Sequence, residues 1–244
     1  GYGYTVATEM YSAGIDRLTH QPLSFSVSET TEGVHIHIID AELMGKGEKE
    51  KKDLYIEGVQ NNGIINHYEY IINSEGTIEI RHVLKPEGKM PLWFPRIGLT
   101  LTVSDALDQV KWYGRGPQEN YPDRKTGYPM GIYASTVQAM YEPYLMPQDY
   151  GLRTDVRWLQ LTTDKGIGLQ FKMNEWFNFN IYPYSTDNLT KAMYTYQLQK
   201  QKGMTLNLDY ATTGVGCTAR GVFGAYKAMP QEYRRTISIR PMMK

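Results

Sequence analysis

Short runs in which apolar and polar residues alternate constrain this chain more than any other feature. Leu23, Phe25 and Val27 alternate with serines, and Val34, Ile36 and Ile38 alternate with His35 and His37. Leu54 and Ile56, Ile64 to Ile72, and Ile78, Ile80 and Val83 continue the pattern, and Leu99, Leu101 and Val103 are set off from Thr100 and Thr102. The second half repeats it at Ile167, Leu169 and Phe171, at Phe177, Phe179 and Ile181, at Leu206 and Leu208, and at Ile237 and Ile239. Successive side chains of a strand point to opposite faces, so a period of two in short runs marks antiparallel sheets with one buried face. Asn61-Asn62-Gly63 and Asn73-Ser74-Glu75-Gly76 supply residues that tolerate hairpin turns. The run from Gly45 to Asp53, flanked by strand patterns, reads as an exposed hairpin tip. One segment has a different period: Leu189, Ala192, Met193 and Tyr196 recur at helical spacing after Ser185-Thr186-Asp187, which predicts a short N-capped helix.

At 244 residues the chain is long enough for one large β domain with a full core, and no repeat or Pro/Gly/Ser linker divides it, so one domain over 1–244 is expected. Lys plus Arg and Asp plus Glu both number 26, a balance that leaves no electrostatic footprint for nucleic acid or an anionic membrane. No apolar run approaches the roughly 18 residues of a spanning helix. The single cysteine, Cys217, excludes an internal disulfide and a four-cysteine zinc site. The chain opens on Gly1 without a signal-peptide pattern, as an excised fragment would, and fixes no compartment.

The most distinctive stretch is Gly116-Pro117-Gln118-Glu119-Asn120-Tyr121-Pro122-Asp123-Arg124. Two prolines bar it from a regular element, yet nearly every other position carries an amide, carboxylate, phenol or guanidinium. Such a loop is ordered only when its side chains bond the backbone and each other, so it is either a structural corner or the rim of a site. Lys111-Trp112-Tyr113-Gly114-Arg115 leads in, and Pro143 to Gln148, Gly151, Arg153, Arg157 and Trp158 follow. Together these residues closely resemble the C-terminal domain of the bacterial β-galactosidases of glycoside hydrolase family 2, where a contiguous GPQENYPDR is a hallmark. Leu189 and Ala192, Leu206 to Asp209, Gly214-Val215-Gly216 and a closing strand before Pro241 agree, so the resemblance runs from about Trp93 to Pro241.

That resemblance implies an all-β fold, a large antiparallel β-sandwich similar to the galactose mutarotases. It implies catalytic glutamates in a TIM barrel earlier in a longer polypeptide, with any divalent metal in that barrel and no cofactor in this fragment. The partners it implies are a β-galactoside or related sugar, the barrel and other domains of the parent, and an oligomeric parent in the bacterial cytoplasm or periplasm. The loop then lies at the active-site mouth, with Gly116, Gln118, Glu119, Asn120, Tyr121, Asp123 and Arg124 on the pocket rim. Loops 114–126 and 214–224 would border the sugar site without cleaving the bond. An independent carbohydrate-binding module is the alternative.

The residues themselves offer little independent chemistry. Glycoside hydrolysis needs two carboxyls about 5 Å apart or wider. Glu119 and Asp123 are the nearest pair, and their plainer reading is as turn caps that pair with Arg124 or Arg153. A mutarotase moves a proton with histidine, but the five histidines (His20, His35, His37, His67, His82) all precede residue 83. His35 and His37 share a strand face, but two ligands without a third predict a plain exposed face and no metal. Among Trp93, Trp112, Trp158 and Trp176, Trp112 beside the loop is the candidate for stacking on a sugar. Where the best-known branch of the family has Gly-[Val/Ile]-Gly-Gly-Asp followed by a tryptophan, this chain has Gly214-Val215-Gly216-Cys217-Thr218-Ala219-Arg220-Gly221. A glycine replaces the tryptophan, and Arg220 beside it could bond hydroxyls or an acidic sugar, or cap a turn. Tyr194 likewise stands where relatives often carry histidine.

Overall fold

The computed structural model describes residues 10, 13–44, 62–216 and 221–243. The described residues form eleven strands: β1 (Thr19–Thr30), β2 (Gly33–Leu43), β3 (Gly63–Ile72), β4 (Ile78–Glu87), β5 (Arg96–Val103), β6 (Gln109–Arg115), β7 (Met130–Thr136), β8 (Arg153–Thr162), β9 (Gly168–Tyr182), β10 (Met204–Thr212) and β11 (Tyr233–Met242). Every ladder is antiparallel, in the order β1-β2-β3-β4-β11-β9-β8-β6-β7, with β10 and β5 branching from β9. The first half of β9 pairs with β11 and its second half with β10, so one long strand carries the sheet into two layers.

The alternating runs supply what lies between the layers. Trp112, Phe171, Phe177, Phe179, Leu206, Leu208 and Ile237 are fully buried in one continuous core, although several of their strands share no ladder. Each such side chain contributes roughly 1.5–3 kcal/mol by leaving water. The chain is thus an antiparallel β-sandwich, as expected. The Asn73–Gly76 turn also forms as predicted: Asn73 Oδ1 accepts from the backbone N–H groups of Glu75 and Thr77, and Gly76 takes φ 76°, a conformation open to glycine. Leu54, Ile56, Asn61 and the charged run 45–53 lie outside the described residues.

Three elements depart from the simple pattern. In β1 the apolar face is uncovered: Phe25 is 68% and Val27 54% exposed. In β10 the reverse holds, because Thr205, Asn207 and Asp209 are buried along with the leucines between them. Their burial is tolerable because they are satisfied. Asn207 donates to Asn180 and Tyr182, while Arg96 lies 3.1 Å from Asp209. Burial pushes the Asp209 carboxyl up to about 6, with Arg96 opposing. Asp149 accepts from Asn180 and Tyr182 and is 3.3 Å from Arg96, so this network pins the segment around Asp149 onto the sheet.

The third departure is the helix. It covers only Thr186–Lys191 (α1), capped by Ser185, whose side chain accepts from the Asn188 N–H. Leu189 and Ala192 are buried as expected, but Tyr196 is 79% exposed and sits in a 3-10 turn. Gln197 explains the early stop: its Oε1 accepts from the backbone of Met193 and Tyr194, replacing the bonds that a further helical turn would supply.

Candidate functional site

The Gly116–Arg124 loop leaves β6 across a cis Gly116–Pro117 peptide and is organised around one carboxylate. Glu119 is buried, and both of its oxygens are saturated. Oε1 accepts from Arg124 Nη2 at 2.8 Å and from the Tyr144 hydroxyl; Oε2 accepts from the Gly151 N–H at 2.9 Å and the Tyr121 hydroxyl at 3.1 Å. Burial alone would raise the carboxyl, but the bonds from Tyr144, Gly151, Arg124 and Tyr121 outweigh it and hold Glu119 below the usual carboxylate range. A carboxylate committed to four donors is a hub, with no free oxygen for a proton-transfer task.

The neighbouring residues are equally committed. Asn120 is fully buried: its Oδ1 accepts from the Thr154 N–H and hydroxyl, and its Nδ2 donates to Gln118 O. Arg153, buried beneath the loop, donates to Pro117 O and Gly151 O and lies over the Trp112 ring; burial lowers its guanidinium to about 10. Its role is to hold backbone, so the pairing with Glu119 falls to Arg124 alone. Asp123 reaches across to the other predicted loop, accepting from Val215 N at 3.1 Å and Gly216 N at 2.7 Å. A Cβ at Gly214 would meet that carboxylate at 2.3 Å, so only glycine allows the approach. The two predicted loops are therefore in contact through Asp123. Arg220 lies outside the described residues.

Trp112 requires a correction. It is 0% exposed, donates its indole N–H to Arg115 O at 3.0 Å and meets Phe179 edge-on. A ring with no free face cannot stack on a sugar. Trp93 is also buried, whereas Trp176 is 62% exposed, with the Arg157 guanidinium 3.5 Å from its ring centroid. Tyr194 is exposed and stacks on Tyr196 with ring centroids 5.4 Å apart.

Trp176 stands at a cavity of about 560 Å³ between Pro122 and Lys125 of the loop, Thr154 and Asp155 of β8, Asn178 of β9, and the 225–228 segment. Asp155 adopts φ 56°, a left-handed conformation uncommon outside glycine, at an irregularity in the β8–β9 ladder. Its carboxylate is held by Arg115 at 2.6 Å and Lys125 at 2.8 Å. Burial works against the charge, but these two cations prevail and keep the carboxyl low. Glu175, also at the cavity, pairs with Arg235 at 2.9 Å. The cavity thus presents amides, an indole and paired charges, a lining suited to hydroxyl groups. No sequence signal marked Asp155, since its unusual backbone arises from the ladder irregularity. Tyr144 lay within the resembling Pro143–Gln148 stretch, but its partner could not be named.

The fold and the loop together define an antiparallel β-sandwich with a clamped polar loop beside an open cavity. A family model described as the β-galactosidase small chain matches residues 8–239, and this chain belongs to that family. A β-galactosidase of Priestia megaterium is 38% identical over 147 residues, covering 60% of this chain and 14% of the relative. One of Vibrio cholerae is 31% identical over 207 residues, covering 84% and 18%. The chain therefore spans only a small part of the length of the curated relatives it matches. Among solved structures, a GalM/aldose epimerase homologue from C. elegans superposes with a TM-score of 0.44 at 12% identity, covering 90% of this chain and 69% of that one.

Proposed function

We propose that this chain is one domain of a longer β-galactosidase, in which it completes the rim of the sugar site and leaves bond cleavage to carboxyls elsewhere in that protein. The observation that carries this reading is the commitment of the loop carboxylates: Glu119 to four donors, Asp123 to two backbone amides, and the adjacent Asp155 to two cations. A wall of this kind positions a substrate and excludes water, which lowers the barrier without moving a proton. The uncovered apolar face of β1, with Leu23, Phe25 and Val27, is where the remainder of the longer chain would pack.

The test is Asp123→Ala in the β-galactosidase that contains this chain. Releasing the 213–216 segment should loosen the rim, so KM for lactose should rise about tenfold, equivalent to about 1.4 kcal/mol. The fall in kcat should stay within roughly threefold, as for loss of uniform binding. Unchanged kinetics would remove these loops from the site. A collapse of kcat with unaltered KM would make Asp123 a participant in the chemistry.

A further inference from the structure

The β2–β3 register supplies the ligand that the sequence left missing beside His35 and His37. The two histidines are two residues apart on β2, and Glu69 of β3 is directly opposite His37, so all three side chains share one face of the sheet. Glu69 Oε1 lies 3.5 Å from His35 Nδ1 and 3.9 Å from His37 Nε2, and one donor atom from each residue falls within 4.8 Å of the others. From this geometry we propose that His35, His37 and Glu69 form a binding site for a divalent transition-metal ion of the zinc type.

The distances are the first support. Donor atoms bound at about 2.0–2.1 Å around a tetrahedral ion stand roughly 3.3–3.5 Å from one another. The pair at 3.5 Å already meets that spacing, and the pair at 3.9 Å needs only a small side-chain adjustment. Chemistry is the second. Two imidazoles and one carboxylate suit zinc, copper or nickel better than magnesium or calcium, which take mainly oxygen. Third, the carboxylate is held from behind: Arg81 Nη1 donates to Glu69 Oε2 at 3.0 Å, leaving Oε1 toward the histidines, as outer-shell partners of metal ligands do. Arg81 also pairs with Glu79 at 2.8 Å, so its charge is shared between two carboxylates. Fourth, the imidazole rings lie with centroids 6.4 Å apart and 27° between planes, and each turns a nitrogen to the same Glu69 oxygen. Ser26 and Ser28 of β1 stand opposite His37 and His35 in the β1–β2 register. The half-exposed His37 leaves the remaining coordination positions to water, and the ion would clip β2 to β3.

The chain, stripped of metal with EDTA, is titrated with zinc sulfate by calorimetry, and cobalt(II) absorption reports the coordination geometry. One equivalent should bind saturably, with visible cobalt bands of a tetrahedral centre. His37→Ala and Glu69→Gln should each weaken binding by at least the roughly 10–100-fold that loss of an outer-shell partner costs. His20→Ala should bind as the parent does; His20 has its own carboxylates, Asp40 and Glu42, 3.5 and 3.7 Å away, and controls for binding there. Circular dichroism of each variant verifies the fold, which an exposed His37 makes easy to preserve. No saturable binding, or binding that survives both His37→Ala and Glu69→Gln, would overturn the assignment.

Discussion

Trp112→Ala should lower the free energy of unfolding by about 3–5 kcal/mol, the range for removing a large aromatic side chain from a close-packed core. The indole is fully buried, meets Phe179 edge-on, underlies the Arg153 guanidinium and donates to Arg115 O. The substitution removes all three contacts and leaves a void at the root of the loop, next to Gly116. Urea unfolding followed by circular dichroism measures the effect. A sugar-stacking tryptophan would behave oppositely, with stability nearly unchanged and only ligand affinity lost. A loss under 1 kcal/mol would contradict the burial argument.

Glu119→Gln changes little in shape and much in hydrogen bonding. Each carboxylate oxygen accepts from two donors, so converting either one to an amide N–H₂ sets donor against donor. Leaving buried donors unpaired costs about 1–3 kcal/mol each, and a total near 3 kcal/mol is expected after local adjustment. The pH dependence gives an independent signature. Because the folded-state carboxyl is held below its ordinary value, its contribution is present above about pH 4.5 and lost as pH falls through the folded value. Glu119→Gln should therefore flatten the acid limb of the stability curve below about pH 4.5. An acid limb as steep as the parent's would show that Glu119 is not the hub.

The strands and the loop were legible from the residues because their signals are local. Alternation marked β3, β4, β9 and β11, and Asn73 and Gly76 marked their turn through side-chain bonds formed within four residues. What stayed hidden depends on partners far along the chain. In β10, Met-Thr-Leu-Asn-Leu-Asp reads as half-exposed, yet Arg96, Asp149, Asn180 and Tyr182 gather to satisfy its polar face and bury it. In β1 the same alternation left apolar residues in the open, because nothing among the described residues covers them. Trp112 and Trp176 cannot be told apart by composition; the first points into the sandwich and the second stands beside the cavity. Likewise, His35 and His37 gain Glu69 only through inter-strand register.

The most direct test is a titration of this chain with galactose and lactose, followed by amide and indole NMR shifts. If the chain forms only part of the rim, neither sugar will produce a saturable change at the cavity residues Trp176, Asn178 or Lys125. Saturable shifts centred on those residues would contradict that account and make the chain a self-sufficient carbohydrate-binding module.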